Sequence, residues 1–123
     1  MTSTGCTPTV QLKIKLGPHA LIGPGKIALL EAIQATGSIS AASRATTMSY
    51  RKTRDLLEAL NATFNAPVVM ATKGGSKYGG TTLTPLGEML VERYRDIEAA
   101  SNRAAESALS DLLSSFISQA SSD

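Results

Sequence analysis

The sequence has few of the residues on which enzymes and metal sites usually depend. Its 123 residues include one cysteine, one histidine and no tryptophan. Cys6 has no partner for a disulfide within the chain, which fits a reducing compartment, and His19 has no carboxylate near it in the sequence. Ser38, Ser40 and Ser49 lie where helices are predicted to begin, so capping explains them without a catalytic base. We therefore expect no catalytic residues, no metal site and no cofactor.

Long apolar runs and a large charge imbalance are also absent. No stretch approaches the roughly 18 consecutive apolar residues of a membrane span, and residues 1–10 do not resemble a secretory signal. We therefore expect a cytoplasmic protein with no membrane contact. The formal net charge is only +2, so an electrostatic function requires a local excess of one sign. Residues 44–85 have six basic and two acidic side chains, a balance of +4, whereas residues 86–123 have three and seven, a balance of −4.

Apolar periodicity and turn residues divide the first part of the chain into short elements. Alternating apolar residues predict a half-buried strand over Val10–Leu16. A helix is predicted through residues 26–35, and Gly37 ends it. Ser40 is then predicted to cap a short helix over residues 41–45. The composition, with 42% hydrophobic residues, is sufficient for the core of one modest domain.

A longer helix is predicted to begin after Ser49 and to place its basic residues on the exposed side. Its predicted buried face consists of Thr53, Leu56, Leu57, Leu60 and Phe64. Together with the preceding short helix it has the dimensions of a helix-turn-helix, whose second helix enters the major groove of DNA. Arg51 and Arg54 are suited to bidentate contact with guanine, whereas Ser49, Tyr50 and Lys52 are suited to phosphate. The alternative is a basic, solvated helix face without a ligand.

A hairpin is predicted from Val68–Met70 and Thr81–Leu83, with a glycine-rich segment between them. This segment carries Lys73 and Lys77. It lacks the Gly-Lys-Ser/Thr ending of a nucleotide-binding P-loop and leads into a strand instead of a helix. Glycine allows close approach of the main chain and lysine neutralises charge, which suits a DNA phosphate backbone. The alternative is a mobile loop without a ligand.

The last predicted element is a helix that is too long for a compact domain. Thr84 caps it and Pro85 takes its first position. A continuous helix to residue 117 would span about 50 Å, compared with about 35 Å for a compact chain of this length. A second chain is expected to cover its apolar side chains, and the alternative is a turn near Ser101 and Asn102 that folds the helix back. The predicted dimer interface comprises Leu90, Tyr94, Ile97, Leu109, Leu112, Leu113 and Phe116.

Five segments resemble the ModE-type molybdate-responsive regulators, whose N-terminal domain is a LysR-like winged helix-turn-helix. The resemblance covers roughly residues 10–97 and implies a mainly α fold with a small β component. It implies a DNA-binding domain over residues 10–84 and a helical dimerisation segment over 85–123, and the residue pattern predicts a flexible tail over residues 1–9. The segments are 36–45 (TGSISAASRA), 48–52 (MSYRK), 57–61 (LEALN), 72–80 (TKGGSKYGG) and 83–87 (LTPLG).

The resemblance implies a homodimeric regulator of transcription that binds double-stranded DNA. Residues 49–64 would read the major groove. The wing, which comprises residues 68–83, would contact phosphate. One alternative is a co-regulator that keeps the fold and heterodimerises through its last helix without binding DNA. An RNA-binding module is disfavoured because sequence-specific RNA modules usually stack bases on exposed aromatic side chains. This chain has only three tyrosines and two phenylalanines. The expected DNA contacts are Ser38, Ser40, Arg44, Ser49, Tyr50, Arg51, Lys52, Arg54, Lys73 and Lys77.

The chain departs from the family pattern in three places. Thr46 and Thr47 stand where the family usually has leucine and glycine, and Arg54 stands where tryptophan is common. The family continues into a molybdate-binding region, whereas this sequence stops after the long helix. We therefore expect no molybdate binding by this chain, and base preferences of the family are not transferred to it.

Overall fold

The computed structural model describes residues 7–18, 20–72 and 80–121. Within these ranges the fold is mainly helical with two antiparallel strand pairs, as predicted. The chain divides into two compact units, residues 12–94 and residues 1–11 with 95–123. In chain order the elements are β1 (Ile14–Gly17), β2 (Ala20–Ile22), α1 (Pro24–Thr36), α2 (Ile39–Ala45), α3 (Tyr50–Phe64), β3 (Val69–Ala71), β4 (Thr81–Leu83) and α4 (Pro85–Ser121).

The first strand is shorter than predicted and has a partner that the sequence pattern did not reveal. β1 begins at Ile14, which pairs with Ile22 of β2, and the register shifts between Lys15 and Gly17. The predicted start at Val10 was wrong, because strand pairing begins four residues later. Leu16 is 56% exposed instead of half-buried, because the register shift interrupts the alternation of side chains at this point.

Helix α1 supplies the centre of the core in the unit formed by residues 12–94. Pro24 occupies its first turn, and Gly37 ends it in the left-handed conformation with φ 74°, as predicted. The Gly37 amide donates to the Ile33 carbonyl at 2.8 Å. Four side chains of α1 are buried in the core, those of Ile27, Leu29, Leu30 and Ile33. The buried apolar residues from other parts of this unit are Ile22, Ala42, Leu57, Leu60, Val68, Leu83, Leu90 and Tyr94.

Helix α2 begins two residues earlier than predicted. Ser38, not Ser40, is the N-cap, because its hydroxyl oxygen accepts a hydrogen bond from the Ala41 amide at 3.0 Å. Ser38 has extended backbone angles, the usual geometry of a capping residue. Ser40 already lies inside the helix, where its hydroxyl oxygen accepts a hydrogen bond from Arg44 Nη1 at 3.1 Å.

The second hairpin and the start of α4 are joined at Val68 and Thr84. β3 begins at Val69, one residue later than predicted, and Val69 pairs with Leu83. Val68 lies directly before the strand, and its carbonyl accepts from the Thr84 amide at 3.0 Å. Thr84 caps α4 as predicted, since its hydroxyl oxygen accepts from the Gly87 amide at 3.1 Å. The same hydroxyl donates to the Pro67 carbonyl at 2.9 Å.

Helix α4 is continuous through Ser101 and Asn102, so the alternative of a turn at this point is wrong. Leu90 is 8% and Tyr94 1% exposed in the core of their own chain. Their predicted place in a dimer interface is therefore wrong, because both side chains are buried in their own chain and neither is available to a partner. The Tyr94 hydroxyl donates to the Leu12 carbonyl at 2.8 Å, which satisfies the polar end of this buried ring.

In the unit that contains the end of α4, one side chain binds the N-terminal segment. Asn102 Oδ1 accepts from the Val10 amide at 2.7 Å, and its Nδ2 donates to the Glu98 carbonyl at 2.9 Å. Leu109 and Leu113 are half-buried and line a cavity with residues 7–9. None of the helices in the described ranges has a stretch long and apolar enough to cross a membrane.

Candidate nucleic-acid interface

Helix α3 is fixed to the core by one face and exposes the other. The Ser49 hydroxyl accepts from the Lys52 amide at 3.0 Å, which caps the helix as predicted. Thr53 is fully buried and donates its hydroxyl to the Ser49 carbonyl at 3.0 Å. Leu57 and Leu60 are also buried, whereas the remaining two predicted buried residues, Leu56 and Phe64, are half-buried.

The exposed face of α3 concentrates positive charge in its first two turns. Arg51, Lys52 and Arg54 are exposed, and Tyr50 beside them is 50% exposed. Across the part of the chain that the structure describes, none of the three cations forms a salt bridge. Asp55 is also exposed on this helix. The basic groups are therefore unneutralised by ion pairing and available to an anionic ligand.

Arg54 and Tyr50 interact with each other across one helical turn. Arg54 Nη1 donates to the Tyr50 hydroxyl at 3.4 Å, and the guanidinium carbon lies 6.0 Å from the centre of the tyrosine ring. The hydrogen bond to Tyr50 raises the pKa of the Arg54 guanidinium above its usual value. Arginine is a permanent cation in proteins, and this contact places the charge of Arg54 beside the Tyr50 hydroxyl.

Helix α2 and its N-cap bring a second group of predicted residues beside Tyr50. Ser38 and Ser40 share a concave surface with Tyr50, so the structure brings together three residues that the sequence separates. Arg44 is exposed and donates to Ser40. The remaining residues that line this surface are Ile39, Ala71, Thr72, Gly80 and Thr81.

The turn between α2 and α3 has an unusual backbone conformation. Thr47 has a φ of 55°, in the left-handed region that favours glycine. Its amide donates to the Arg44 carbonyl at 3.2 Å, and the Met48 amide donates to the Ser43 carbonyl at 3.0 Å. These hydrogen bonds hold the tight turn of the helix-turn-helix despite the unfavourable residue.

The base of the second hairpin lies against the turn between α1 and α2. The Thr81 amide donates to the Gly37 carbonyl at 2.9 Å, and the Thr72 amide donates to the Gly80 carbonyl at 3.0 Å. Thr72, Gly80 and Thr81 were not among the predicted site residues, although their position beside the glycine-rich segment could have indicated them. Lys73 and Lys77, the predicted phosphate contacts of the wing, lie outside the described residues.

Several known proteins are similar in sequence to most of this chain. The molybdenum-pterin-binding protein MopB of Rhodobacter capsulatus is 45% identical over 97 residues, 79% of this chain and 33% of MopB. The transcriptional regulator ModE of Haemophilus influenzae is 36% identical over 95 residues, 77% of this chain and 37% of that protein. The chain is related to the ModE-type regulators. It spans about a third of the length of these relatives, and no family model matches it.

The ModE relationship extends to a relative in Escherichia coli and agrees with the fold. The DNA-binding transcriptional dual regulator ModE of that organism is 31% identical over 102 residues, 83% of this chain and 38% of the relative. A solved structure of similar fold is the DNA-binding domain of CbnR in complex with DNA. Its TM-score is 0.54 at 18% identity, covering 71% of this chain and 94% of that chain. The predicted winged helix-turn-helix fold is thereby confirmed.

Proposed function

We propose that this chain binds double-stranded DNA sequence-specifically and regulates transcription as a homodimer. The observation that carries the proposal is the exposed face of α3, on which Arg51, Lys52 and Arg54 lie without a salt-bridge partner among the described residues. The names of the ModE relatives support a role in transcriptional regulation. The CbnR DNA-binding domain, which was solved in complex with DNA, supports the fold.

In the proposed complex, the first turns of α3 enter the major groove. Its 15 residues extend about 22 Å at roughly 1.5 Å per residue, which is sufficient to cross the groove and remain packed on the core. Arg51 and Arg54 contact base edges, since a guanidinium can pair with guanine through two hydrogen bonds. The proposed phosphate contacts are Ser49, Tyr50, Lys52, Lys73 and Lys77. Ser38, Ser40 and Arg44 are the remaining proposed DNA contacts.

The proposed homodimer forms through the part of α4 beyond Tyr94. Ile97 is 45%, Leu112 67% and Phe116 71% exposed within this chain. Leu109 and Leu113 are half-buried and complete the proposed interface. A second copy would remove these apolar side chains from water. Two linked reading helices would also bind two half-sites about one turn of DNA, ~34 Å, apart.

Selection from a random library of labelled duplexes tests this proposal and identifies the preferred DNA sequence in the same experiment. The selected duplex and a scrambled duplex are then titrated with the full chain at several salt concentrations, with fluorescence anisotropy as the readout. We expect preferential binding of the selected duplex and a linear decrease of log K with log salt concentration. Failure to enrich any sequence, together with no salt-dependent binding, would contradict the proposal.

The exposed apolar part of α4 is also the basis of a second candidate function. A co-regulator would use Leu112 and Phe116 to bind a different protein and would not bind DNA itself. Light scattering and the same DNA titration separate the two functions. A chain that is monomeric alone, forms a stoichiometric complex with another regulator and leaves DNA unbound would favour the co-regulator.

A further inference from the structure

Arg54 differs from the other cations of α3 because its position is already constrained. Its Nη1 donates to the Tyr50 hydroxyl at 3.4 Å, and its guanidinium carbon lies 6.0 Å from the centre of the Tyr50 ring. Arg51 and Lys52 have no such side-chain partner in the described part of the chain. Tyr50 and Arg54 therefore form a pair on the surface that we propose for DNA.

The constraint on Arg54 leaves most of its hydrogen-bonding groups available. A guanidinium has five N–H donors, and the bond to Tyr50 uses one on Nη1. The remaining donors include the two on Nη2, which with a neighbouring N–H can contact the O6 and N7 acceptors of guanine. Because the side chain is held before binding, less rotational freedom is lost when this contact forms.

We infer that Tyr50 is a positioning residue for Arg54 and that the pair reads one guanine in the major groove. This inference rests on the proposed function, since it assigns a base preference to the same helix. Tyr50 acts through its hydroxyl, which fixes the direction of the guanidinium plane. Tyr50, which the sequence predicted as a phosphate contact, thereby takes part in the recognition of a base.

The test uses the duplex selected by the full chain and replaces its guanines one at a time by 7-deazaguanine, which lacks the N7 acceptor. For the wild-type chain, we expect the replacement at the contacted guanine to lower affinity by about 5- to 150-fold. R54A should remove the penalty at that guanine. Y50F, which keeps the ring and loses the hydroxyl, should reduce the penalty by about 3- to 10-fold.

A double-mutant comparison and a matched control complete the design. In the R54A background, Y50F should have no further effect on the penalty, because the hydroxyl would have no guanidinium left to orient. K52A is the control on the same helical turn, and it should weaken binding to all duplexes by a similar factor while keeping the 7-deazaguanine penalty. Circular dichroism verifies that each variant keeps the helical content of the wild type.

Two outcomes would overturn the inference and leave the proposed function intact. In the first, Y50F binds the selected duplex and keeps the full penalty at every guanine. In the second, Y50F weakens binding to all duplexes equally, in the presence or absence of Arg54, as expected for a simple phosphate contact. Failure of the proposed function is distinguishable from both, because the wild-type chain itself would then show no salt-dependent DNA binding.

Discussion

Gly87, in the first turn of α4, lies so close to the Val68 carbonyl that a side-chain carbon at Gly87 would overlap the carbonyl oxygen. Val68 is fully buried, and its amide donates to Asn61 Oδ1 at 2.9 Å. The same carbonyl accepts from the Thr84 amide. This close approach fixes the start of α4 against the segment that leads into the wing, and it explains the need for glycine at this position.

The G87A substitution should destabilise the chain by about 1–3 kcal/mol, because the added methyl group has to displace buried backbone. Urea denaturation followed by circular dichroism measures the effect. G25A is the matched control, since a side-chain carbon at Gly25 in α1 would meet no atom within 4 Å. It should leave stability unchanged or raise it slightly. Equal stability of G87A and the wild type would show that the overlap is relieved without cost.

Thr47 offers a test of strain in the turn before α3. The T47G substitution should raise the free energy of unfolding by about 0.5–1 kcal/mol, because glycine adopts a positive φ without steric cost. T47A is the control, since alanine keeps the side-chain carbon that is unfavourable at a φ of 55°. The same denaturation measurement applies. A gain in T47A equal to that in T47G would assign the effect to the threonine side chain and not to the backbone.

The wing lysines should contribute affinity without sequence preference. Replacing both Lys73 and Lys77 by alanine should reduce the slope of log K against log salt concentration by roughly 0.9 for each lost phosphate contact. Anisotropy titrations of selected and scrambled duplexes should show similar losses for both. An unchanged slope in the double variant would indicate that the glycine-rich segment does not contact DNA.

The exposed side chains at the end of α4 should hold the homodimer together. Replacing Leu112 and Phe116 by glutamate should raise the dimer dissociation constant on the order of 100-fold or more, because charged groups would replace apolar contacts. Sedimentation equilibrium measures the constant. The control replaces Ser107 and Ser114, which are also exposed but lie on the opposite face of α4, by glutamate and adds the same charge. Dimers of wild-type strength in the Leu112 and Phe116 variant would contradict the proposed interface.

Much of the fold could be predicted because its start and stop signals are local. Gly37 in the left-handed conformation, Ser49 at the start of α3 and Thr84 before Pro85 all act through hydrogen bonds within a few residues. The choice between Ser38 and Ser40 could not be made in this way. Both are small hydroxyl residues before the same helix, and tertiary contacts decide which one is extended.

Long-range partners account for most of what the sequence did not reveal. Val10 lies in an alternating pattern, yet its amide binds the side chain of Asn102, 92 residues away. Leu90 and Tyr94 have the same helical spacing as Leu112 and Phe116, and spacing alone does not say which chain covers a residue. The Tyr50–Arg54 pair could have been inferred from its spacing of four, but its geometry required the structure.

Methylation interference on the selected duplex shows directly whether a homodimer of this chain reads DNA through α3 in the major groove. Methylation at guanine N7 blocks the major groove, whereas methylation at adenine N3 blocks the minor groove. Such a homodimer should give two clusters of interfering guanine N7 positions, with centres about 10–10.5 base pairs apart or a multiple of this distance. Interference confined to adenine N3, or none at guanine N7 in a duplex that contains guanine and binds tightly, would contradict this mode of binding.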